Sequence, residues 1–252
     1  MFELSADLVV ILMGAAFIAG FVDSIAGGGG LITVPALMLA GVPPIIALAT
    51  NKVQGLFGAG MAAITYARAG HVDLRNQIMP ALLSFVAAFF GAALASRLPT
   101  DVIKVGLPFL LIGIALFFAF KPGLNDTDKA QRITPFLFMA TLVPIVGFYD
   151  GLLGPGTGAF FMLGFVTLAG YGILKATAHT KLLNFASNVG GLLGFVFAAK
   201  PLWALGLSMG IAQMAGAYLG SHLATRVGAR LIKPVLVFAA TALALRLLWD
   251  WT

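Results

Sequence analysis

Two short runs combine an aspartate with a glycine-rich turn, and both lie inside apolar sequence. The first is Asp23-Ser24-Ile25-Ala26-Gly27-Gly28-Gly29-Gly30. The second opens at Asp150 and closes on Gly154-Pro155-Gly156-Thr157-Gly158. Glycine lets the backbone turn through positive φ and brings amide N–H groups close to a ligand. A helix starting after such a turn presents free N–H donors and the positive end of its dipole. Gly28, Gly29 and Gly30, and Gly156, Thr157 and Gly158, are therefore candidate anion ligands. Close helix packing is the competing reason for glycine in a membrane. Two related clusters, each followed by a short apolar piece, favour the site.

Lys52 and Lys181 are the second unusual feature, because each lies deep in a long apolar segment. On insertion scales a lysine there costs roughly 2.5–3.5 kcal/mol, so it is a functional candidate by default. A structural ion pair with Asp23 or Asp150 is the alternative. Thr177, Asn184 and Asn188 stand at i−4, i+3 and i+7 from Lys181, a spacing that shares one helix face and reads as a cavity lining. Thr180 adjoins that stripe. Near Lys52 the candidates are Thr50, Asn51 and Gln54, a less polar set, so the two halves are not expected to contribute equally. Asp23 and Asp150 are suited to capping turn amides, holding the lysines, or carrying a coupling proton. His179 joins them as a group able to titrate near neutral pH.

Composition says what must position these residues. Of 252 residues, 60% are hydrophobic and 10% charged, where a soluble domain carries roughly a quarter charged; mean hydropathy is +1.03. Apolar stretches long enough to cross a ~30 Å hydrocarbon core recur along the chain, with little strand-like alternation. Helices then have to satisfy the backbone in lipid. The absence of cysteine excludes disulfides and thiolate metal sites, and neither a metal nor another cofactor is expected. The net charge of +6 sits mainly in short loops, where membrane topology accounts for it without nucleic acid. The first residues carry Glu3 and Asp7 before any base, unlike a cleaved signal peptide, so the first apolar segment is expected to remain.

The apolar segments fall at 5–26, 31–40, 45–67, 76–98 and 101–120, then at 133–153, 159–169, 173–199, 202–225 and 230–249. A hydrophilic linker at 121–132 separates residues 1–120 from 133–252. The second half restarts the first. At an offset of 127, Gly20-Phe21-x-Asp23 matches Gly147-Phe148-x-Asp150; at 129, Ala49 and Lys52 match Ala178 and Lys181, and Gly91 matches Gly220. Ordered matches at nearly constant offset indicate internal duplication. The predicted fold is an all-α polytopic membrane protein with two repeats of about five helical pieces.

Loop charge gives orientation. Arg68 and Arg75 against Lys200 alone, and Arg226, Arg230 and Lys233 against an acid-balanced counterpart, place loop 68–75, the linker and loop 226–233 in the cytoplasm. The repeats would then be inverted, with both termini outside. The short pieces, about 15–17 Å as helices, read as hairpins entering partway with the glycine turns at their tips. Such backbone is tolerated where protein buries it or where it lines a cavity.

At Gly20-Phe-Val-Asp-Ser-Ile-Ala-Gly-Gly-Gly-Gly30, Thr33-Val-Pro35 and Ala49-Thr-Asn-Lys52 the sequence resembles the TauE/SafE family of bacterial membrane transporters. Gly147-Phe-Tyr-Asp150, Gly154-Pro-Gly-Thr-Gly158 and Ala178-His-Thr-Lys-Leu-Leu-Asn184-Phe-Ala-Ser-Asn188 extend the likeness over essentially the whole chain. The resemblance implies export of small sulfur-containing anions such as sulfite or organosulfonates across the bacterial inner membrane. It leaves room for a homodimer. Two helix N-termini and one or two lysines would replace the hydration of an oxyanion, and alternating access would carry it across. A passive anion channel would use the same residues. A hydrolase built on Asp150, His179 and Ser187 lacks any motif that sets a nucleophile at a strained turn.

Overall fold

The computed structural model describes residues 5–98, 126–197, 199–228, 230–231 and 234–235, and these are helical with short turns. The first half contributes α1 (Ala6–Ala26), α2 (Gly30–Leu39), α3 (Pro44–Arg68) and α4 (Leu74–Ala95). The second contributes α5 (Pro135–Ala140), α6 (Leu142–Leu152), α7 (Thr157–Thr167), α8 (Ile173–Val196) and α9 (Trp203–Val227). The protein is an all-α polytopic membrane protein. The segments expected at 101–120 and 230–249 lie wholly or largely outside the described residues, as does the first part of the linker, 121–125.

Local chemistry sets the ends. Ser5 and Thr134 accept hydrogen bonds from Leu8 N and Leu137 N, and Asp73 accepts from Asn76 N, which caps α1, α5 and α4. Pro43 and Pro44 open α3, where a missing N–H costs nothing. The segment expected at 133–153 as one helix is instead two, broken at Thr141 (φ −117°, ψ −69°). Pro144 has no N–H for the Ala140 carbonyl and its ring collides there, which explains the break.

Ala6–Ala26, Leu74–Ala95 and Pro135–Leu152 are long and apolar enough to cross a membrane. α3, α8 and α9 are longer but carry polar side chains inward: Asn51, Lys52, Gln54, Lys181, Asn184, Asn188 and Gln213 are all buried. The outward face is the reverse. On α4, Ile78, Met79, Leu82, Val86 and Phe90 are exposed, a stripe suited to lipid.

The halves interleave. α1 packs along α9 and α4 along α6; α3 packs on α9 and α4 on α8; α3 meets α8 at the centre. Exchanging α1 with α6, α3 with α8, and α4 with α9 maps this set of contacts onto itself. Small residues make the crossings close. A Cβ at Gly91 would lie 2.1 Å from Phe148 O, and one at its counterpart Gly220 would lie 2.5 Å from Phe21 O. Beyond the core, Asp128 tethers the end of the linker to the start of α8. It accepts from Gly172 N (2.6 Å) and pairs with Lys175 (2.9 Å). The Gly172 hydrogen bond first, and Lys175 second, hold its carboxyl below the ordinary aspartate value.

Gly91→Leu is expected to destabilise the protein by ~1–3 kcal/mol through overpacking. Val86→Ala, on the lipid-facing stripe, should stay within ~0.5 kcal/mol. Thermal melts in detergent compare the two, and equal melts would show that the α4–α6 crossing is loose.

Candidate functional site

The two glycine turns are built alike and touch. Gly27 (φ 78°) and Gly154 (φ 90°) hold equivalent left-handed positions that a side chain would strain. A Cβ on Gly27 would fall 2.4 Å from Ala159 N, and Gly30 stands against Pro155. The turns meet around a cavity of ≈ 30 Å³, room for a very few heavy atoms.

Its walls come from every long helix of the centre. α1 and the first turn give Asp23, Gly28, Gly29 and Gly30; α3 gives Asn51 and Gly55. α6 and the second turn give Asp150, Gly154, Gly156, Thr157 and Gly158. Asn184 and Asn188 of α8 and Gln213 of α9 complete it.

Both buried lysines are paired across the halves. Lys181 Nζ lies 3.2 Å from Asp23 Oδ2 and also donates to Asp23 O. Lys52 Nζ lies 2.8 Å from Asp150 Oδ1, although off the direction of a good hydrogen bond. The contact is thus an ion pair set by distance rather than alignment. The lysines stand behind the turns rather than in the cavity wall: a Cβ on Gly154 would be 3.1 Å from Lys52 Nζ, and one on Gly158 would be 3.5 Å from Lys181 Nζ. The four charges sum to zero, and all four residues are at most 6% exposed.

Asp23 does more than pair. Its Oδ1 accepts from Gly28 N (2.9 Å) and Gly29 N (3.0 Å), so those two amides are occupied. In the second turn Thr157 donates to Asp150 Oδ1 (2.7 Å). The N–H groups of Gly30, Gly156 and Gly158, all in the cavity wall, have no acceptor among the described residues. Three acceptor-free amides on residues that line one small space, beside the side chains of Asn51, Asn184 and Asn188, suit an anionic oxygen.

The remaining candidates take supporting places. Gln54 donates to Asn51 Oδ1 (2.8 Å), which Thr33 also reaches (2.7 Å), and this fixes the Asn51 amide. Thr50 turns away and accepts from Leu202 N (3.0 Å). Thr180 is buried, its hydroxyl has no partner among the described residues, and it is not in the cavity wall. His179, two residues from Lys181 and so on another face, has Nδ1 2.9 Å from Lys175 O and packs on Phe165 and Tyr171. Ser187 donates to Asn184 O; among the described residues it makes no hydrogen bond to His179 or Asp150. Gly55, Gly154 and Gln213 line the cavity without having been singled out. Gln213 alone interrupts a run of small and apolar residues, and that isolation was the signal available for it.

The sulfite exporter TauE/SafE family profile matches residues 12–247. The chain belongs to this family. A probable membrane transporter protein, ORF9 of Sinorhizobium sp, is 58% identical over 99% of this chain and 96% of its own length. The probable membrane transporter protein YfcA of Escherichia coli (strain K12) is 44% identical over 99% of this chain and 93% of its own. YdhB of Bacillus subtilis (strain 168), also a probable membrane transporter protein, is 28% identical over 94% and 96%. No solved structure matches. Family membership and these relatives make the TauE/SafE chain a membrane transporter.

Lys181→Met is expected to cost ~3–5 kcal/mol by leaving Asp23 buried and half unpaired. Asp23→Ala should cost more, since it also strips the acceptor from two turn amides. The double variant should be no worse than Asp23→Ala alone. Additive losses in chemical or thermal unfolding would show that the two residues are not coupled.

Proposed function

We propose that this membrane transporter carries small sulfur-containing oxyanions, sulfite or organosulfonates, outward across the inner membrane by alternating access around the cavity between the turns. The observation that carries the reading is the set of three acceptor-free amides on two facing helix starts, Gly30 on one and Gly156 and Gly158 on the other. A sulfonate or sulfite head offers three oxygens to such donors, and backbone amides match a weakly basic oxyanion without protonating it. Thr157 and the Asn51, Asn184 and Asn188 amides sit beside them. The family's description as sulfite exporters supports the same substrate class. The lysines then act from behind the turns, holding Asp23 and Asp150, rather than as direct ligands. The small volume favours a binding step with access changing around it over a passive channel for the same anions.

In the accompanying topology the two halves are inverted repeats, with residues 1–120 and 133–252 joined by a cytoplasmic linker and both termini outside. The reciprocal pattern of helix contacts and ion pairs supports a two-fold relation. Charge bias in the loops supports the inversion.

Purified protein in liposomes is expected to take up or exchange sulfite, sulfonates or thiosulfate in a saturable way, and carboxylates poorly. A screen without any oxyanion response would sink the substrate class, and ohmic currents at high unitary rate would replace the transporter by a channel. The absence of cysteine allows a clean topology test. A single cysteine at His71 should react with an impermeant thiol reagent only from the cytoplasm, and one at Lys200 only from outside. Labelling of both from the same side would exclude inversion.

A further inference from the structure

The two aspartates look equivalent in sequence but not in bonding. Asp23 has both oxygens engaged: two amides on Oδ1 and the Lys181 ammonium on Oδ2. Asp150 receives Thr157 and Lys52 on the same oxygen, Oδ1. Its Oδ2 is buried and has no partner among the described residues. One substitution between the halves contributes to the difference. At the offset of 127 that pairs Asp23 with Asp150, Gly28 pairs with Pro155, and proline has no N–H to donate. One of the two amides that hold Asp23 therefore has no counterpart at Asp150, and the counterpart of the other, Gly156 N, makes no bond to Asp150 among the described residues.

We propose that Asp150 is the proton-coupling carboxylate of the transporter, that Asp23 is not, and that one proton travels with each monovalent anion. The inference rests on the anion-transport reading above; with this stoichiometry net export runs where the outward gradient of the anion exceeds the inward gradient of the proton. Empty, the site is neutral, with two ammonium groups against two carboxylates. An anion added to it would be an unpaired charge in a weakly polarisable interior, which is costly. A proton from the aqueous phase that binds Asp150 Oδ2 converts the carboxylate to a neutral acid. Lys52 then becomes an uncompensated cation behind Gly154, and the anion in the cavity balances it. Loaded with proton and anion, the site is neutral again, so only the empty and doubly loaded forms are cheap. Obligatory coupling follows from that charge balance.

The other groups around Asp150 do not take this role. α3 presents Lys52, and Asp23 of α1 stands across the cavity held by Lys181 of α8. The adjacent Tyr149 donates its hydroxyl to Pro155 O. α9 presents the neutral Gln213, and Arg75 of α4 is exposed in its first turn. α7 brings the Thr157 hydroxyl and no charge.

The test uses the full-length protein in liposomes filled with a pH-sensitive dye and, as probe, methanesulfonate, which is fully ionised at any working pH and brings no proton itself. Wild-type uptake is expected to acidify the lumen by one proton per anion without a current. Asp150→Asn, a neutral mimic of the protonated acid, should lose the acidification, and whatever methanesulfonate-for-methanesulfonate exchange survives should be insensitive to pH. Asp23→Asn should retain the proton-to-anion ratio in whatever flux survives. Anion movement in wild type without acidification, or acidification persisting in Asp150→Asn, would overturn the assignment while leaving anion transport standing. Wild-type liposomes that move no anion would remove the transport reading and this inference together. If Asp150→Asn does not fold, wild type and Asp23→Asn decide together: a ratio of one in both supports the assignment, and zero in either overturns it.

Discussion

Two lysine–aspartate pairs, each bridging the halves, are what the interior is organised around. Lys52 of the first half meets Asp150 of the second, and Lys181 of the second meets Asp23 of the first. A charge alone at that depth is untenable, so each pair fixes where two helices and one turn must lie. α3 and α8 have to meet at the centre to bring both lysines behind the turns. α1 and α6 have to deliver their aspartates there from either side. The small residues at Gly91 and Gly220 let the outer helices close over that arrangement.

The same pairs explain why the cavity is polar yet neutral. The lysines are consumed by carboxylates, and what remains for a ligand is backbone: amides at the starts of α2 and α7. The donors stay fixed because the turns are fixed, one by the Asp23 carboxylate and the other by Thr157 and Tyr149. The side-chain amides of α3 and α8 add contacts of a kind that differ between halves, so the site is lopsided although its frame is nearly symmetric.

Much of this was legible in the sequence, because membrane burial makes polar residues conspicuous. The turns, the aspartates, both lysines and the Asn184–Asn188 stripe stood out against apolar surroundings. What sequence left open was the choice between lysine as anion ligand and lysine as ion-pair partner, since distance across the halves decides it. The break at Thr141 followed from Pro144 but was masked by the continuous apolar run. His179 and Thr50 were polar for local reasons, bonding Lys175 O and Leu202 N on faces that a linear polar cluster does not distinguish. Gly55 lines the cavity by having no side chain, which no motif announces.

The crossed pairing also sets a problem of timing during synthesis. Asp23 and its lysine are separated by 158 positions, and chains grow at roughly 5–20 residues per second. On the order of ten seconds or more therefore passes with the first charges made and their partners not yet translated. In the folded protein each half's ions are paired across the halves, so through that interval the leading helices lack the final partners of their charges. Insertion of this chain is thus a joint event of both halves rather than two in succession.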